Sequence, residues 1–274
     1  MNRRAAGLVV AVVAAALWLS GCSMIDAYTF FPDRSLGPPP PGVEERWITT
    51  EDGQRIHAWY AGGPAPAPTL IWSHGNAGNI GGRADVLVAL ARRGLRVLAY
   101  DYRGYGRSPG APSEAGVYLD AVGAFDHEVG RGTAPASIIC FGESLGGAVS
   151  IALAERRPCG GVAVVSTFTR LADVARRHYG PLGLLAGNRF DSRARVGRQA
   201  VPLLVAHGDR DEIVPFELGE ALFAAASEPK RFYRIAGAHH NDALASPDLL
   251  DAVAAFARDA VARGPLPGRT PRDR

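Results

Sequence analysis

The chain has 274 residues, of which 47% are hydrophobic and 21% charged, and it contains three cysteines. This composition suits one large globular domain and excludes a disordered chain or a cysteine-rich scaffold. The formal net charge is +3, but Arg3 and Arg4 lie in an amino-terminal segment that we predict to be removed. The remaining charge is close to balanced, so nothing in it favours a nucleic-acid partner.

The amino terminus has the pattern of a secretory signal. Two arginines precede an apolar run over residues 5–19, which is short for a membrane span. The next residues, Leu19-Ser20-Gly21-Cys22, resemble a bacterial lipobox, in which the chain is cut before a cysteine that carries diacylglycerol. We therefore expect a lipoprotein signal peptide at 1–21 and lipidation of Cys22. An uncleaved anchor helix and an ordinary signal cut elsewhere are the alternatives.

The segment after this cysteine predicts a tether in the bacterial cell envelope. Residues 22–45 contain "LGPPPPG", which favours an extended polyproline conformation that would hold the domain away from the lipid. Ser23 stands where inner-membrane lipoproteins usually have aspartate. The expected location is therefore the periplasmic face of an outer membrane.

The folded domain is predicted to occupy residues 46–263, followed by a disordered tail at 264–274. Two β-rich runs flank Asp52-Gly53 near its start and indicate a hairpin. Strands and helices then alternate, which predicts an α/β fold with a mostly parallel sheet covered on both faces. Residues 167–199 are long enough only for a helix and a loop, so any lid over the sheet should be minimal. Predicted strands cover 69–73, 96–100, 137–141, 161–166, 202–207 and 231–235, and predicted helices lie near 83–93, 114–129, 145–156, 216–226 and 247–263.

Polar and glycine-rich segments follow the predicted strands, where parallel sheets form their sites. One of them, "GESLGG", places Ser144 between glycines at a strand-to-helix corner, the pattern of a nucleophile elbow. A serine hydroxyl needs a base and a group that orients the base. Asp211 and His240 follow later strands in the chain order Ser, Asp, His, and Asp209 is a competing acid. The other segments are "SHGNAGN", "DYRGYGRS", "HGDRDEIVP" and "GAHHND".

In these five segments the sequence resembles the α/β-hydrolase superfamily. It is most similar to the small-lid branch that includes the α/β-hydrolase-domain depalmitoylases and bacterial serine-aminopeptidase-like hydrolases. The resemblance covers about residues 47–263 and is more specific for the fold than for the substrate. Relatives usually have Gly-x-Gly-His-Asn-Asp in the last segment, whereas this chain has His239 in place of the second glycine.

The resemblance implies a role for each matching residue. Ser144 would attack the acyl carbonyl, His240 would act as the base and Asp211, which occupies the family's acid position, would orient it. Backbone amides of Leu145 and Asn76 would hold the oxyanion. Because neighbouring side chains of an extended segment point in opposite directions, His239 is expected at the rim of the site.

Several other residues have simpler interpretations. Cys140 is expected to be a buried core thiol, and a bridge from it to Cys159 is expected to be geometrically poor. The pair His239-His240 with Asp242 has no spaced third ligand set, so no metal is predicted. Loop-bracing roles are expected for His74, Asp101, Arg103 and Tyr105.

These observations predict a lipid-anchored serine hydrolase that cleaves carboxylic esters or thioesters through an acyl-enzyme, without a cofactor. Its substrate would be a small molecule or a lipid or other acylated compound. One alternative is a peptidase or amidase of the same fold, and another is a non-catalytic envelope lipoprotein that binds a ligand. The sequence does not specify the oligomeric state.

Overall fold

A computed structural model describes residues 26, 28–63 and 66–264 of the chain. The predicted signal peptide, the lipidation site Cys22 and residues 265–274 of the predicted tail lie outside the described residues. Within the described ranges, no helix has both the length and the apolar character needed to cross a membrane.

Strands and helices alternate along the chain as predicted. The strands are β1 (Phe31–Pro32), β2 (Glu44–Thr49), β3 (Arg55–Ala61), β4 (Thr69–Ser73), β5 (Ala77–Gly78), β6 (Arg96–Tyr100), β7 (Ile138–Glu143), β8 (Gly161–Val165), β9 (Leu203–Gly208) and β10 (Lys230–Ile235). The helices are α1 (Ala84–Arg92), α2 (Glu114–Gly130), α3 (Leu145–Arg156), α4 (Leu171–Tyr179), α5 (Ser192–Val196), α6 (Phe216–Ala225) and α7 (Pro247–Arg263). Short 3₁₀ turns lie at Ile80–Arg83, Pro135–Ser137, Gly180–Ala186 and Ala243–Ala245.

Eight of the described strands form one sheet in the order β10-β9-β8-β7-β4-β6-β3-β2. The strands from β10 to β6 pair in parallel, whereas the β2–β3 hairpin is antiparallel and closes one edge. This is the α/β-hydrolase fold that the sequence predicted. Strands β4, β8 and β9 are buried along their whole length because helices cover both faces of the sheet. The carboxyl ends of the central strands therefore meet at one edge, where the predicted site residues lie.

Each face of the sheet carries its own apolar core. Successive side chains of a strand point to opposite faces, so Ile71 and Cys140 belong to one core, whereas Trp72 and Phe141 belong to the other. The sheet is thus fixed from both sides, which gives the loops at its carboxyl edge a rigid base.

Residues 28–43, hereafter the amino-terminal arm, do not form the free tether that the proline-rich composition predicted. Phe30 is buried and its ring meets that of Phe190 at 6.2 Å between centroids. Strand β1 pairs with β5, and Asn79 Nδ2 donates to the backbone oxygens of Asp33 and Ser35. The prolines favour an extended backbone by themselves. In the structure, one buried aromatic ring and several hydrogen bonds to the backbone hold the arm on the domain.

The segment between β8 and β9 is more helical than expected. It contains α4, the 3₁₀ turn at Gly180–Ala186 and α5, instead of one helix and a loop. We refer to residues 171–191 as the lid. The lid is short, as expected, because α4, this 3₁₀ turn and α5 are the only described helical elements between β8 and β9.

Cys140 is buried, as expected for a core thiol, and Cys159 is buried as well although the sequence placed it in a loop. Both are free cysteines, so no bridge joins them. Cys159 precedes β8, whose Val162 pairs with Cys140 on the neighbouring strand. Burial, together with the neighbouring Cys159 thiol, raises the pKa of Cys140.

Candidate active site

Ser144 lies at a strained corner between β7 and α3. Its backbone has φ 51° and ψ −121°, a conformation that non-glycine residues adopt only where the surrounding structure enforces it. A Cβ on Gly142 would lie 2.1 Å from Gly146 O, and one on Gly146 would lie 1.9 Å from Ser73 O. Both positions therefore require glycine, and the close packing of strand against helix lifts the serine hydroxyl to the edge of the sheet.

His240 lies between this serine and a carboxylate. Its Nε2 is 3.1 Å from Ser144 Oγ, and its Nδ1 is 2.8 Å from Asp211 Oδ2. A neutral imidazole that faces a carboxylate at Nδ1 carries its proton there, which leaves Nε2 free to accept the hydroxyl hydrogen. The three side chains thus form a continuous hydrogen-bonded chain with the geometry of a nucleophile, a base and an orienting acid.

Asp211 is held by several donors in the loop after β9. Its Oδ1 accepts from the backbone amides of Ile213, at 3.0 Å, and Val214, at 2.7 Å. His207, buried in β9, brings Nε2 to 3.3 Å from Asp211 Oδ2. Burial opposes ionisation, but hydrogen bonds from His207, His240 and the backbone lower the pKa of Asp211 well below its usual value. The carboxylate therefore stays charged at neutral pH.

The competing residues Asp209 and His239 make other contacts. Asp209 accepts from the amide of Gly237 at 2.7 Å and from Arg234 Nε at 2.9 Å. His239 is exposed, with Nδ1 3.0 Å from Glu212 Oε2. Asp209 therefore stabilises the turn before the histidine pair, while His239 points away from Ser144.

The two predicted oxyanion donors, Asn76 and Leu145, lie beside the serine. Leu145 is the first residue of α3, where backbone N–H groups have no acceptor within the helix. Among the described residues, the Asn76 N–H also has no acceptor. The Asn76 carbonyl, in contrast, accepts from the Phe31 amide at 3.0 Å and from Tyr105 Oη at 2.7 Å. Residues 75–79, hereafter the oxyanion loop, are therefore braced while one amide stays free.

Arg83 and Glu143 brace the same loop from the other side. Glu143 Oε1 accepts from Arg83 Nε at 2.7 Å and from the Gly75 amide at 3.1 Å. Arg83 Nη1 donates to the carbonyls of Ala77 and Asn79. Sequence reasoning missed this pair because the residues are 60 positions apart; the only signal is that Glu143 lies within "GESLGG" and Arg83 follows "SHGNAGN" by four residues.

His74 and Asp101 support the loops from beneath. His74 is buried, its Nδ1 lies 2.6 Å from Gly75 O, and burial holds the pKa of its imidazole well below the usual value. Asp101 Oδ1 accepts from the Ile80 amide at 2.9 Å, and burial raises the pKa of this carboxyl group. Arg103 pairs with Asp120 and Asp52 at the loop after β6. These residues stabilise the loops and do not contact Ser144.

An open cleft of about 730 Å³ exposes Ser144 and His240. Its wall combines the oxyanion loop, the Arg83–Glu143 pair and apolar side chains. The apolar wall residues outside the oxyanion loop are Val86, Ala89, Val165, Ile213, Ala243, Leu244, Ala245 and Leu250. In the described part of the chain, no three His, Cys, Asp or Glu side chains are grouped so that they could hold a metal ion.

Comparisons with known proteins agree with this fold. The family model described as "Serine aminopeptidase, S33" matches residues 64–192. The chain is 41% identical over 256 residues to the uncharacterized protein Rv2307c of Mycobacterium tuberculosis, covering 89% of this chain and 88% of that protein. It is 32% identical over 242 residues to the uncharacterized protein YfhR of Escherichia coli, covering 85% of each.

The solved structures include the esterase domain of a Rhodothermus marinus protein. It aligns with a TM-score of 0.63 and 22% identity, over 80% of this chain and 99% of that domain. The fold and the matching structures define the class as the α/β-hydrolase fold. The chain belongs to the same protein family as Rv2307c and YfhR.

Proposed function

We propose that the protein is a serine hydrolase that cleaves carboxylic esters or thioesters. The observation that carries the proposal is the hydrogen-bonded chain from Ser144 Oγ through His240 to Asp211. An isolated serine hydroxyl is a weak nucleophile, and this arrangement is the one that activates it. No residue of the proposed reaction requires a cofactor.

In the first half of the reaction, Ser144 Oγ attacks the acyl carbon while His240 Nε2 takes its proton. The resulting imidazolium is stabilised by the charged carboxylate of Asp211. His240 then gives the proton to the departing alcohol or thiol, which leaves an acyl-enzyme on Ser144. In the second half, His240 takes a proton from water, the hydroxide attacks the acyl group, and the carboxylic acid leaves as Ser144 recovers its proton.

Negative charge on the former carbonyl oxygen would be held by the amides of Asn76 and Leu145. Loss of one such donor costs about 10²–10³ in turnover in related chemistry. The braces on the oxyanion loop support this role, because preorganised amides need no rearrangement when the charge develops. Backbone amides stay in place only if the loop that carries them does.

A peptidase or amidase is the second candidate, and the serine aminopeptidase description of the matching family model favours it. An aminopeptidase must hold the ammonium group of its substrate with an acidic side chain. Glu143 faces the cleft, but it is already paired with Arg83. We therefore place ester and thioester cleavage first.

A substrate panel separates these candidates. The full chain is assayed with p-nitrophenyl esters of increasing acyl length, an acyl thioester and aminoacyl p-nitroanilides, with Ser144→Ala as the control. The proposal predicts turnover of esters or thioesters that is absent from the control. Turnover of the anilides alone would favour the peptidase, and no turnover of any compound would favour a non-catalytic binding protein.

We further propose that the amino terminus holds the protein at the cell envelope through a lipid on Cys22. The support is the lipobox-like sequence Leu19-Ser20-Gly21-Cys22 after an apolar run. Membranes should retain the wild type and release Cys22→Ala. Mass spectrometry that finds an unmodified amino terminus at another residue would contradict this proposal.

A further inference from the structure

The lid carries the densest group of exposed apolar side chains in the described part of the chain. Of the eight large hydrophobic residues exposed there, Tyr179, Leu182, Leu184 and Leu185 lie within seven consecutive positions. Leu182 is 70% and Leu185 72% exposed, so most of the surface of each residue is open to solvent. Clustered apolar side chains on a protein surface often mark an interaction site, whereas isolated ones do not.

Basic residues flank these apolar side chains. Arg176 and Arg177, in the last turn of α4, are exposed and form no ion pair with any described residue. No acidic residue occurs in the sequence between Asp173 and Asp191, although Asp209, Glu212 and Glu217 line the same surface cleft as the two arginines. Exposed leucines beside unpaired arginines have the composition of segments that lie in the interface of an anionic membrane. We call the two arginines and the four apolar residues the lid patch.

The lid patch lies beside the cleft that contains the serine. His178, next to Tyr179, brings Nε2 to 2.8 Å from the carbonyl oxygen of Ile213. Ile213 lines the cleft together with Ser144 and is itself 36% exposed. A surface that covers the lid patch would therefore also face the mouth of the cleft.

The amino-terminal end of the described chain lies at the same lid. Arg189 forms an ion pair with Asp26, and Phe30 packs against Phe190. Tyr28, between these contacts, is 77% exposed. Only four positions separate Asp26 from Cys22, a span of at most about 14 Å when fully extended. A membrane that holds the amino terminus would therefore lie close to the lid.

We propose that the lid patch docks on an anionic phospholipid surface. The leucines enter the interface, the two arginines meet the headgroups, and the cleft opens toward the lipid. A second copy of the chain fits less well, since a symmetric dimer through this patch would bring Arg176 and Arg177 close to their own copies. The docking extends beyond the proposed hydrolysis, because lipid binding is measurable without turnover.

The test places an environment-sensitive dye on the full chain. The background is Cys22→Ala, in which the remaining cysteines, Cys140 and Cys159, are buried. One variant adds Leu185→Cys, and the matched control adds Arg131→Cys, an exposed position after α2 at the opposite end of the sheet. Vesicles of phosphatidylcholine with phosphatidylglycerol should shift the emission at position 185 to the blue and leave position 131 unchanged.

Two further variants examine the source of binding. Arg176→Gln with Arg177→Gln should remove the dependence of the shift on phosphatidylglycerol. Leu182→Ser with Leu185→Ser should retain hydrolysis of a soluble short ester but hydrolyse a vesicle-embedded ester about tenfold or more slowly. Neither leucine lines the serine cleft.

The proposal is overturned if position 185 keeps its aqueous emission with vesicles, or if the shift appears only on formation of a dimer. It is also overturned if the leucine variants hydrolyse both esters like the wild type. If no form hydrolyses any ester but the emission shift occurs, the proposed function fails and the docking stands. If soluble ester is hydrolysed without any shift, the docking fails and the proposed function stands.

Discussion

The oxyanion loop, which lines the serine cleft, and the lid, which lies beside the cleft, differ in how they are held. Next to the serine, Leu145 is 2% exposed, and the oxyanion loop is hydrogen-bonded to the amino-terminal arm, to Tyr105 and to the Arg83–Glu143 pair. The lid, in contrast, exposes Leu185 to 72%. The braced loop is suited to fixed charge stabilisation, whereas the lid is suited to contact with a variable surface. Substitutions in the two regions should therefore affect different measurements.

The largest difference is expected between the adjacent histidines. His240→Ala removes the base and should lower turnover of a short ester by about 10⁵-fold. His239→Gly removes an exposed side chain that hydrogen-bonds to Glu212 and does not reach Ser144, so it should stay within about threefold of the wild type. Steady-state kinetics of both variants checks this. A dead His239→Gly beside an active His240→Ala would reverse the assignment of the base.

The two aspartates after β9 should also differ. Asp211→Asn leaves the shape of the site but loses the charge that orients His240, so kcat should fall by about 10⁴-fold. Asp209→Asn keeps an oxygen that can accept from the Gly237 amide and should have a far smaller effect. Equal losses of kcat in the two variants would show that the turn, and not the carboxylate at 211, controls the reaction.

The lowered pKa of Asp211 also predicts how stability depends on pH. A carboxyl whose pKa is lower in the folded state stabilises the fold above its usual pKa of 3.8, and this contribution is lost as the pH falls further. Below that pH, the free energy of unfolding of Asp211→Asn should therefore decrease less steeply than that of the wild type. Urea titrations at several acidic pH values measure both slopes, and identical slopes would refute the lowered pKa.

Loss of the Arg83–Glu143 pair, which braces the oxyanion loop, should affect kcat more than KM. Arg83→Met removes the hydrogen bonds to Glu143, Ala77 and Asn79, and displacement of the free amide should cost about 10–100-fold in kcat. Arg93→Met, which breaks an ion pair with Asp251 on the outer surface, is the matched control. An unchanged kcat in Arg83→Met would mean that the arm and Tyr105 hold the loop without it.

The smallest effects concern the amino-terminal arm and appear in stability. Phe30→Ala should lower the free energy of unfolding by about 3 kcal/mol, because the ring is buried against Phe190. Phe31→Ala changes a neighbouring ring that is 52% exposed and should cost less than about 0.5 kcal/mol. Urea unfolding of the two variants provides the comparison. Equal and negligible losses of stability would show that the arm is not packed on the domain and behaves as the free tether predicted from composition.

Local patterns were sufficient to predict the sheet and the serine corner. Strands β4 and β7 contain apolar runs followed within a few residues by glycine, and glycine at position 142 reflects a contact with Gly146 inside the corner. The residues of the proposed triad could be found because each follows a strand, and parallel strands bring their carboxyl ends together.

The remaining contacts depend on parts of the chain that are far apart in sequence. Arg83 and Glu143 meet only after β4 and β7 have paired, and no periodicity in the sequence relates them. The arm was misread for the same reason, since the pairing of β1 with β5 and the packing of Phe30 on Phe190 are tertiary contacts. Composition reports the preference of a segment by itself, and here the tertiary contacts override it.

The central claim is that Ser144, activated by His240, is the nucleophile. Its most direct test is intact-protein mass spectrometry after treatment with a fluorophosphonate probe, followed by mapping of the modified peptide. The account predicts one adduct on Ser144 in the wild type, no adduct in Ser144→Ala, and the same far-ultraviolet circular dichroism for both proteins. An adduct on another residue, or equal labelling of a folded Ser144→Ala, would contradict it.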